Sequence, residues 1–462
     1  MSSLVKHFFS LVVLLVPSMA LAASHAINPS CGNNGDGSAW SCASSPGGAG
    51  AWNAIPASST LARGDTYYLG DGTYAGGNTF NTAASGGLFN TIKKATSSDY
   101  GGMSGWNSSY GDGQAVFNAG IHFSTDNWIF DGVTGGGPGS WASGYGIKIK
   151  SMTANGQNIS VGGSSKTDLR GANVTVRHIE MQGIGTDTSQ FGLGVRYAGN
   201  NFTASYIWMY DIGTCPINAP PSYGTSVFEY LFIQSYVPGS LHKEIMTQHI
   251  DGIPGNTTIR YSLFIDVQST GGLMWDNHGN PSAHLYVYGN VFYRPSGATW
   301  NYGNGVIAGW TGGGNELFSN VHVYNNTFIN INGNVFYAYF AAGAYNSTNN
   351  EAYNNLFYNS TSPVYTNSTG GNIWKVHDYN YYINSGDSHS EVNGTSAASG
   401  DPFVNYINYN FSLSRSTKAG ISFPPPFNTD PKGNTRGGGG AWDIGAFEYI
   451  GKIPVFPAIL VQ

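Results

Sequence analysis

The chain has 462 residues, of which 10% are charged, 14% are aromatic and 66 are glycine, with a formal net charge of -6. So mild a negative balance, with no basic stripe, argues against a nucleic-acid partner. The steady recurrence of Val, Ile, Phe and Tyr argues against disorder, and glycine-rich gaps between short apolar runs describe an all-β chain with many turns.

In chain order, Met1 to His7, the apolar run from Phe8 to Val16 and the small-residue site Ala20-Leu21-Ala22 read as a secretory signal peptide over residues 1–22. The mature protein is expected to be secreted, extracellular or periplasmic, and no later segment is apolar enough for a membrane span. Residues 23–60 read as an N-terminal cap in which Cys31 and Cys42 pair in an oxidising compartment. Gly64-Asp65-Thr66 to Gly72-Thr73-Tyr74 reads as a strand and tight turn opening the first rung. Cys215, in a Pro-rich loop, reads as a buried or inert thiol.

From Asn127 to about Tyr382 one phrase recurs. Val174 to Met181, Phe202 to Met209, Thr258 to Phe264, Leu285 to Phe292, Val321 to Phe328 and Ala352 to Phe357 are short runs of alternating character. A second apolar run precedes several of them, at Glu244 to Thr247, Gly272 to Trp275 and Gly305 to Ala308. Units this short cannot bury an apolar face alone, so neighbours must stack on them. Two or three strands per turn with nothing helical between them predict a single-stranded right-handed parallel β-helix over residues 61–385, with caps at both ends. A propeller would need about four antiparallel strands per blade. Asn290, Asn326 and Asn355 are expected to form side-chain ladders at the corners. Asn158, Asn173, Asn201 and Asn346 head glycosylation-type tripeptides that repeat composition explains. Residues 386–462 read as a C-terminal rung and cap, with Trp442 to Tyr449 as the closing strand.

These residues resemble the right-handed parallel β-helix superfamily that includes pectate lyases and other polysaccharide lyases. The opening Gly64 to Tyr74 and the closing Trp442 to Tyr449 are similar to the first and last rungs of secreted bacterial members. The stretch Glu244 to His249, Asn256 to Arg260, Gly272 to Gly279 and Tyr288 to Phe292 is similar in layout to polysaccharide lyase family six. The resemblance implies a glutamate that helps hold Ca²⁺, matched by Glu244. The family's catalytic lysine and arginine fall on His249 and Asp276, so both catalytic positions are changed.

The densest polar cluster of this charge-poor chain is Leu241 to Asp251, with His242, Lys243, Glu244, His249 and Asp251. The next rung adds Trp275, Asp276 and His278. With Ile245 and Leu273 inward, alternation places Glu244, Met246, Gln248, Met274, Asp276 and His278 outward, and counting back from Phe264 and Phe292 sets Gln248 beside Asp276. Glu244, His249, Asp251 and Asp276 are the candidate catalytic residues. Arg196, His242, Lys243, Arg260, Trp275, His278 and Trp310 are the candidate substrate contacts. A lyase acting on an acidic polysaccharide needs a base and a cation for the developing enolate; His249 or Lys243 would be the base, with Ca²⁺ on Glu244 or an arginine as the cation. An inverting glycoside hydrolase on the same scaffold, using carboxyls roughly 6.5–9.5 Å apart, is the alternative; Asp251 and Asp276 suit it better than Glu244 and Asp276. A non-catalytic glycan-binding or surface protein is the third reading. The expected partner is an extended polysaccharide, and the expected state a monomer.

Overall fold

The computed structural model describes residues 22–150, 156–163, 170–185, 191–195, 199–218, 224–234, 244–248, 255–265, 272–277, 280–295, 305–311, 318–331, 333–340, 349–360, 365–367, 374–385 and 390–451. Its strands build a parallel β-helix. Among the described residues, 21 strands form one long sheet and ten form a second. Every strand pairing in these two sheets is parallel, from Ser24–Ile27 on Thr66–Leu69 through to Tyr381–Ile383 on Thr395–Ala398. Strand alternation sends one column of each rung inward. Phe264, Phe292, Phe328, Phe357 and Tyr382 stack there with ring centroids 4.9, 5.0, 5.1 and 4.9 Å apart. That spacing matches the separation of neighbouring strands, so each rung adds one ring to the pile.

The recurring phrase is one bent strand rather than a straight one. Val174–Gln182, Phe202–Tyr210 and Thr225–Ile233 each run nine residues and turn a corner at the fifth or sixth, where His178, Tyr206 and Tyr230 have φ of 58, 53 and 52°. Bulky residues rarely adopt this left-handed conformation. Here neighbouring rungs hold them: His178 stacks on Tyr206 at 4.7 Å and Tyr206 on Tyr230 at 4.5 Å, nearly coplanar. Later rungs place Gly289, Asn325 and Asn354 at the same corner, residues that tolerate the conformation.

The residue after the corner starts a ladder of donated backbone N–H groups. Leu231 N donates to Ser262 Oγ, Ser262 N to Asn290 Oδ1, Asn290 N to Asn326 Oδ1, Asn326 N to Asn355 Oδ1 and Asn355 N to Asn380 Oδ1. The expected corner ladder at Asn290, Asn326 and Asn355 is therefore present. Its last member, Asn380, gives both N and Nδ2 to the Glu391 carboxylate. Asn173 and Asn201 belong to another such ladder, with Asn201 Nδ2 on Asn173 Oδ1 and Asn173 Nδ2 on Asn127 Oδ1.

The C-terminal segment lies along the outside of the long sheet. Phe411, Ile444, Ala446 and Phe447 cover Phe232, Leu263, Val291, Ile329 and Leu356, whose side chains point outward. The expected closing strand at Trp442 to Tyr449 is not a strand. Acidic side chains capture the N–H groups that a strand would pair: Glu448 takes Gly437 N and Asp443 N, Asp443 takes Tyr449 N, and Asp430 takes Glu448 N. The segment is pinned to the rungs by Gly445 N on Asn354 O and Ala446 N on Thr327 Oγ1. At the other end Cys31 and Cys42 form a disulfide, with Cα atoms 5.2 Å apart. No helix among the described residues is long and apolar enough to cross a membrane.

Candidate functional site

Of the residues singled out by sequence, Arg196, His242, Lys243, His249, Asp251 and His278 lie outside the described residues, as does the leader segment up to residue 21. Trp310 falls in the strand Ile307–Thr311, paired with Tyr339. Glu244, Arg260, Trp275 and Asp276 are placed; Ile245 and Leu273 point inward as expected, but Met246 and Gln248 leave the expected outward row. Met246 pairs with Leu273, Thr247 with Met274 and Gln248 with Trp275, so Gln248 is one residue out of step with Asp276. The connection from Trp275 to Phe292 is one residue longer than that from Gln248 to Phe264. A slip of one residue exchanges the faces of a strand.

Met246, Leu273 and Trp275 accordingly share the interior core. Trp275 is 0% exposed, with Nε1 donating to Ser319 O at 3.3 Å, and presents no ring for a sugar. Glu244 and Asp276 are 2% and 0% exposed. Extending the register leaves them five positions apart along the strands, roughly 16 Å at about 3.3 Å each. Glu244 Oε2 accepts from Thr247 Oγ1 at 3.0 Å and from the Cys215 thiol at 3.5 Å. Burial and the Glu244 charge push that thiol well above its ordinary range, as its inert reading requires. The Cys215 sulfur is a poor partner for Ca²⁺, which takes six to eight oxygens, and no three His, Cys, Asp or Glu converge among the described residues. Asp251, the nearest other acid in the sequence, lies outside the described residues. Arg260 belongs to the other sheet, bonded to Glu229 at 2.7 Å and Tyr288 at 2.9 Å. Burial opposes its charge, but those two partners hold it protonated.

The structure gathers acid and base groups elsewhere. Lys148, from Ile147–Lys150, and Glu180, from Val174–Gln182, are register partners on the outside of the long sheet. Lys148 Nζ is 2.5 Å from Glu180 Oε1 and 2.8 Å from Tyr210 OH. Tyr210 OH donates to Glu180 Oε1 at 2.6 Å, and Gln114 Nε2 to Glu180 Oε2 at 3.0 Å. Burial resists both charges, but mutual hydrogen bonds hold the Glu180 carboxyl below its ordinary range and the Lys148 ammonium above its own. Burial and the neighbouring Glu180 push the Tyr210 hydroxyl up to about 12. An ionised carboxylate thus accepts a hydrogen bond from a proton-bearing phenol. The pairing was missed because Lys148, Glu180 and Tyr210 are far apart in sequence. Their signal is the alternation Ile147-Lys148-Ile149-Lys150, which puts charge on an outer face of a charge-poor chain.

The loop 132–146 overhangs this cluster. Tyr145 is buried and its OH donates to Trp141 O at 2.6 Å. The loop needs glycine: Gly135 has φ of 101°, and a Cβ there would lie 2.4 Å from Tyr145 N. Two hollows flank it. One, of about 320 Å³, reaches the Glu180 carboxylate and is lined by Gln114, Asp112 and Ser143. The other, of about 450 Å³, lies between the loop and the C-terminal segment.

No family model matches this chain, so the local likeness to polysaccharide lyase family six has no counterpart there, and no curated protein matches it either. Among solved structures, the crystal structure of pectate lyase Pel9A is similar, with a TM-score of 0.41 and 15% identity over 94% of this chain and 98% of that one.

Proposed function

We propose that the protein is an exported enzyme that cleaves an acidic polysaccharide by β-elimination at the Lys148–Glu180–Tyr210 cluster. The observation that supports this reading is a held ammonium, an ionised carboxylate and a protonated phenol within 2.8 Å of one another, with a hollow that reaches the cluster at Glu180. In this reading Lys148 turns to the uronate carboxylate and stabilises the charge that develops on it. Glu180 takes the proton from the adjacent carbon, and Tyr210 gives its proton to the departing glycosidic oxygen. In this reading Glu244 and Asp276, both buried, take no part in the chemistry.

The test is incubation with a panel of acidic and neutral polysaccharides, following unsaturated-uronate absorbance and new reducing ends together. Both signals should rise on an acidic polymer. Glu180→Gln and Tyr210→Phe should each lower the rate by about 10²- to 10⁴-fold, with Glu244→Gln close to wild type. Reducing ends without the absorbance would replace the lyase by a hydrolase. Silence on the panel, or turnover insensitive to Glu180→Gln, would overturn the assignment.

A further inference from the structure

The larger hollow has a composition of its own. Its floor is Phe232, fully buried, with Trp141 at 6.1 Å and Tyr409 at 6.2 Å from it, ring centroid to ring centroid. One wall is the loop 132–146, and the opposite wall is the antiparallel hairpin of Phe403–Asn405 and Asn410–Leu413. Tyr409 stands at the hairpin's turn with φ of 62° and is 41% exposed. Asn408, Asn410 and Ser412 add amide and hydroxyl groups around it. Among the lining residues, Lys432 is the one charged side chain, with Nζ donating to Ser412 Oγ at 2.6 Å. No carboxylate lines the cleft.

An apolar floor with a partly bare aromatic ring, ringed by a few polar groups, is the make-up of a small-molecule site, and about 450 Å³ lies inside the usual size range of roughly 300–1,000 Å³. Rings such as Tyr409 offer a flat apolar face beside a polar tip, which matches the alternating C–H and hydroxyl faces of a sugar. Lys432 contributes a compact positive charge on a flexible stem, suited to a carboxylate or sulfate on that sugar. The cleft shares Ala142 and Ser143 with the hollow at Glu180, so one chain of sugar residues can reach both sides of the loop.

We infer that this cleft is a non-catalytic binding site for an anionic sugar residue, stacked on Tyr409 with its acid group on Lys432. The choice of an acidic glycan rests on the function proposed above. The cleft's task is retention: it holds the polymer while the Lys148–Glu180–Tyr210 cluster acts one loop away.

Native electrophoresis of the full-length protein through gels containing polygalacturonate, dextran sulfate or a neutral glucan tests this. The two acidic polymers separate carboxylate from sulfate recognition. Retardation is expected in at least one acidic gel and not in the neutral one. Tyr409→Ala and Lys432→Gln should each raise the half-retarding polymer concentration about tenfold, and Lys432→Gln should also flatten its salt dependence. Both residues are exposed, so circular dichroism should match wild type. Retardation of both variants equal to wild type, equal retardation by the neutral glucan, or none in any gel would overturn the inference. Turnover measured alongside separates the two readings. Retention without turnover removes the lyase and keeps the cleft; turnover with KM unmoved by Tyr409→Ala removes the cleft and keeps the lyase.

Discussion

Replacing Asn326 by leucine tests how the ladder holds its rungs. Asn326 is fully buried. Its Oδ1 accepts from Asn290 N and Asn290 Nδ2, and its Nδ2 donates to Val287 O, Tyr324 O and Asn355 Oδ1. Leucine keeps the branching and most of the volume, so the loss is of hydrogen bonds rather than packing. The worst consequence is the Asn290 N–H, left buried without its acceptor, at about 1–3 kcal/mol. The amide's own lost bonds bring the total to about 3–5 kcal/mol. Rungs of a solenoid couple chiefly to their neighbours, so the direct assay is native-state hydrogen exchange at the Asn290 amide. Its protection should fall by roughly 10²-fold to several thousand-fold, at about 1.4 kcal/mol per factor of ten, with a matching drop in guanidinium midpoint. The same column already carries Leu231, so a leucine is sterically acceptable there. A loss below about 1 kcal/mol would show that the ladder adds little to stability beyond filling space, and would refute the reasoning.

The Lys148–Glu180 pair gives stability a pH window. The Glu180 contribution is present above its ordinary value of 4.5 and lost as pH falls through its lowered folded value, and the Lys148 contribution is present below 10.5 and lost as pH rises through its raised one. The melting-temperature gap between wild type and a Lys148→Met/Glu180→Gln variant should therefore be widest between those limits and shrink outside them; a gap that stays flat across both would contradict the assignment. Reducing Cys31–Cys42 opens a loop with a separation of 11 residues, which costs about 3 kcal/mol. Because solenoid stability is local, added protease cuts should concentrate in residues 28–60 while the main unfolding transition holds its midpoint, and a shift of the whole transition would count against this.

Much of the fold was legible because inward columns must be apolar in every rung: Val176, Ala204, Phe228, Ile259 and Val287 announce themselves by alternation alone. The corners were legible only where asparagine marks them. His178, Tyr206 and Tyr230 adopt the same conformation because their neighbours stack on them, a cause that local sequence does not carry. Register between the two sheets was not legible, since it depends on connections whose lengths change from rung to rung, with ladder separations of 36, 29 and 25 residues. That is why Gln248 was set one place wrong and why Met246 was placed on the outside. The acid–base cluster was hidden for the opposite reason: Lys148, Glu180 and Tyr210 are neighbours only because stacking adds a whole turn between them.

Apart from Trp141, the residues that seal the strip from Phe232 to Leu356 come later in the chain than every rung they cover. As the polypeptide is made from its first residue, those rungs can wind before their cover arrives. For that interval the molecule is a finished coil with one bare, adhesive side. A chain stopped short of residues 403–449 would not be a random coil cleared as waste; it would be a well-wound rod primed to pair with its own kind. The tail is thus a certificate of completion, and fidelity at the far end of the message governs the solubility of the middle.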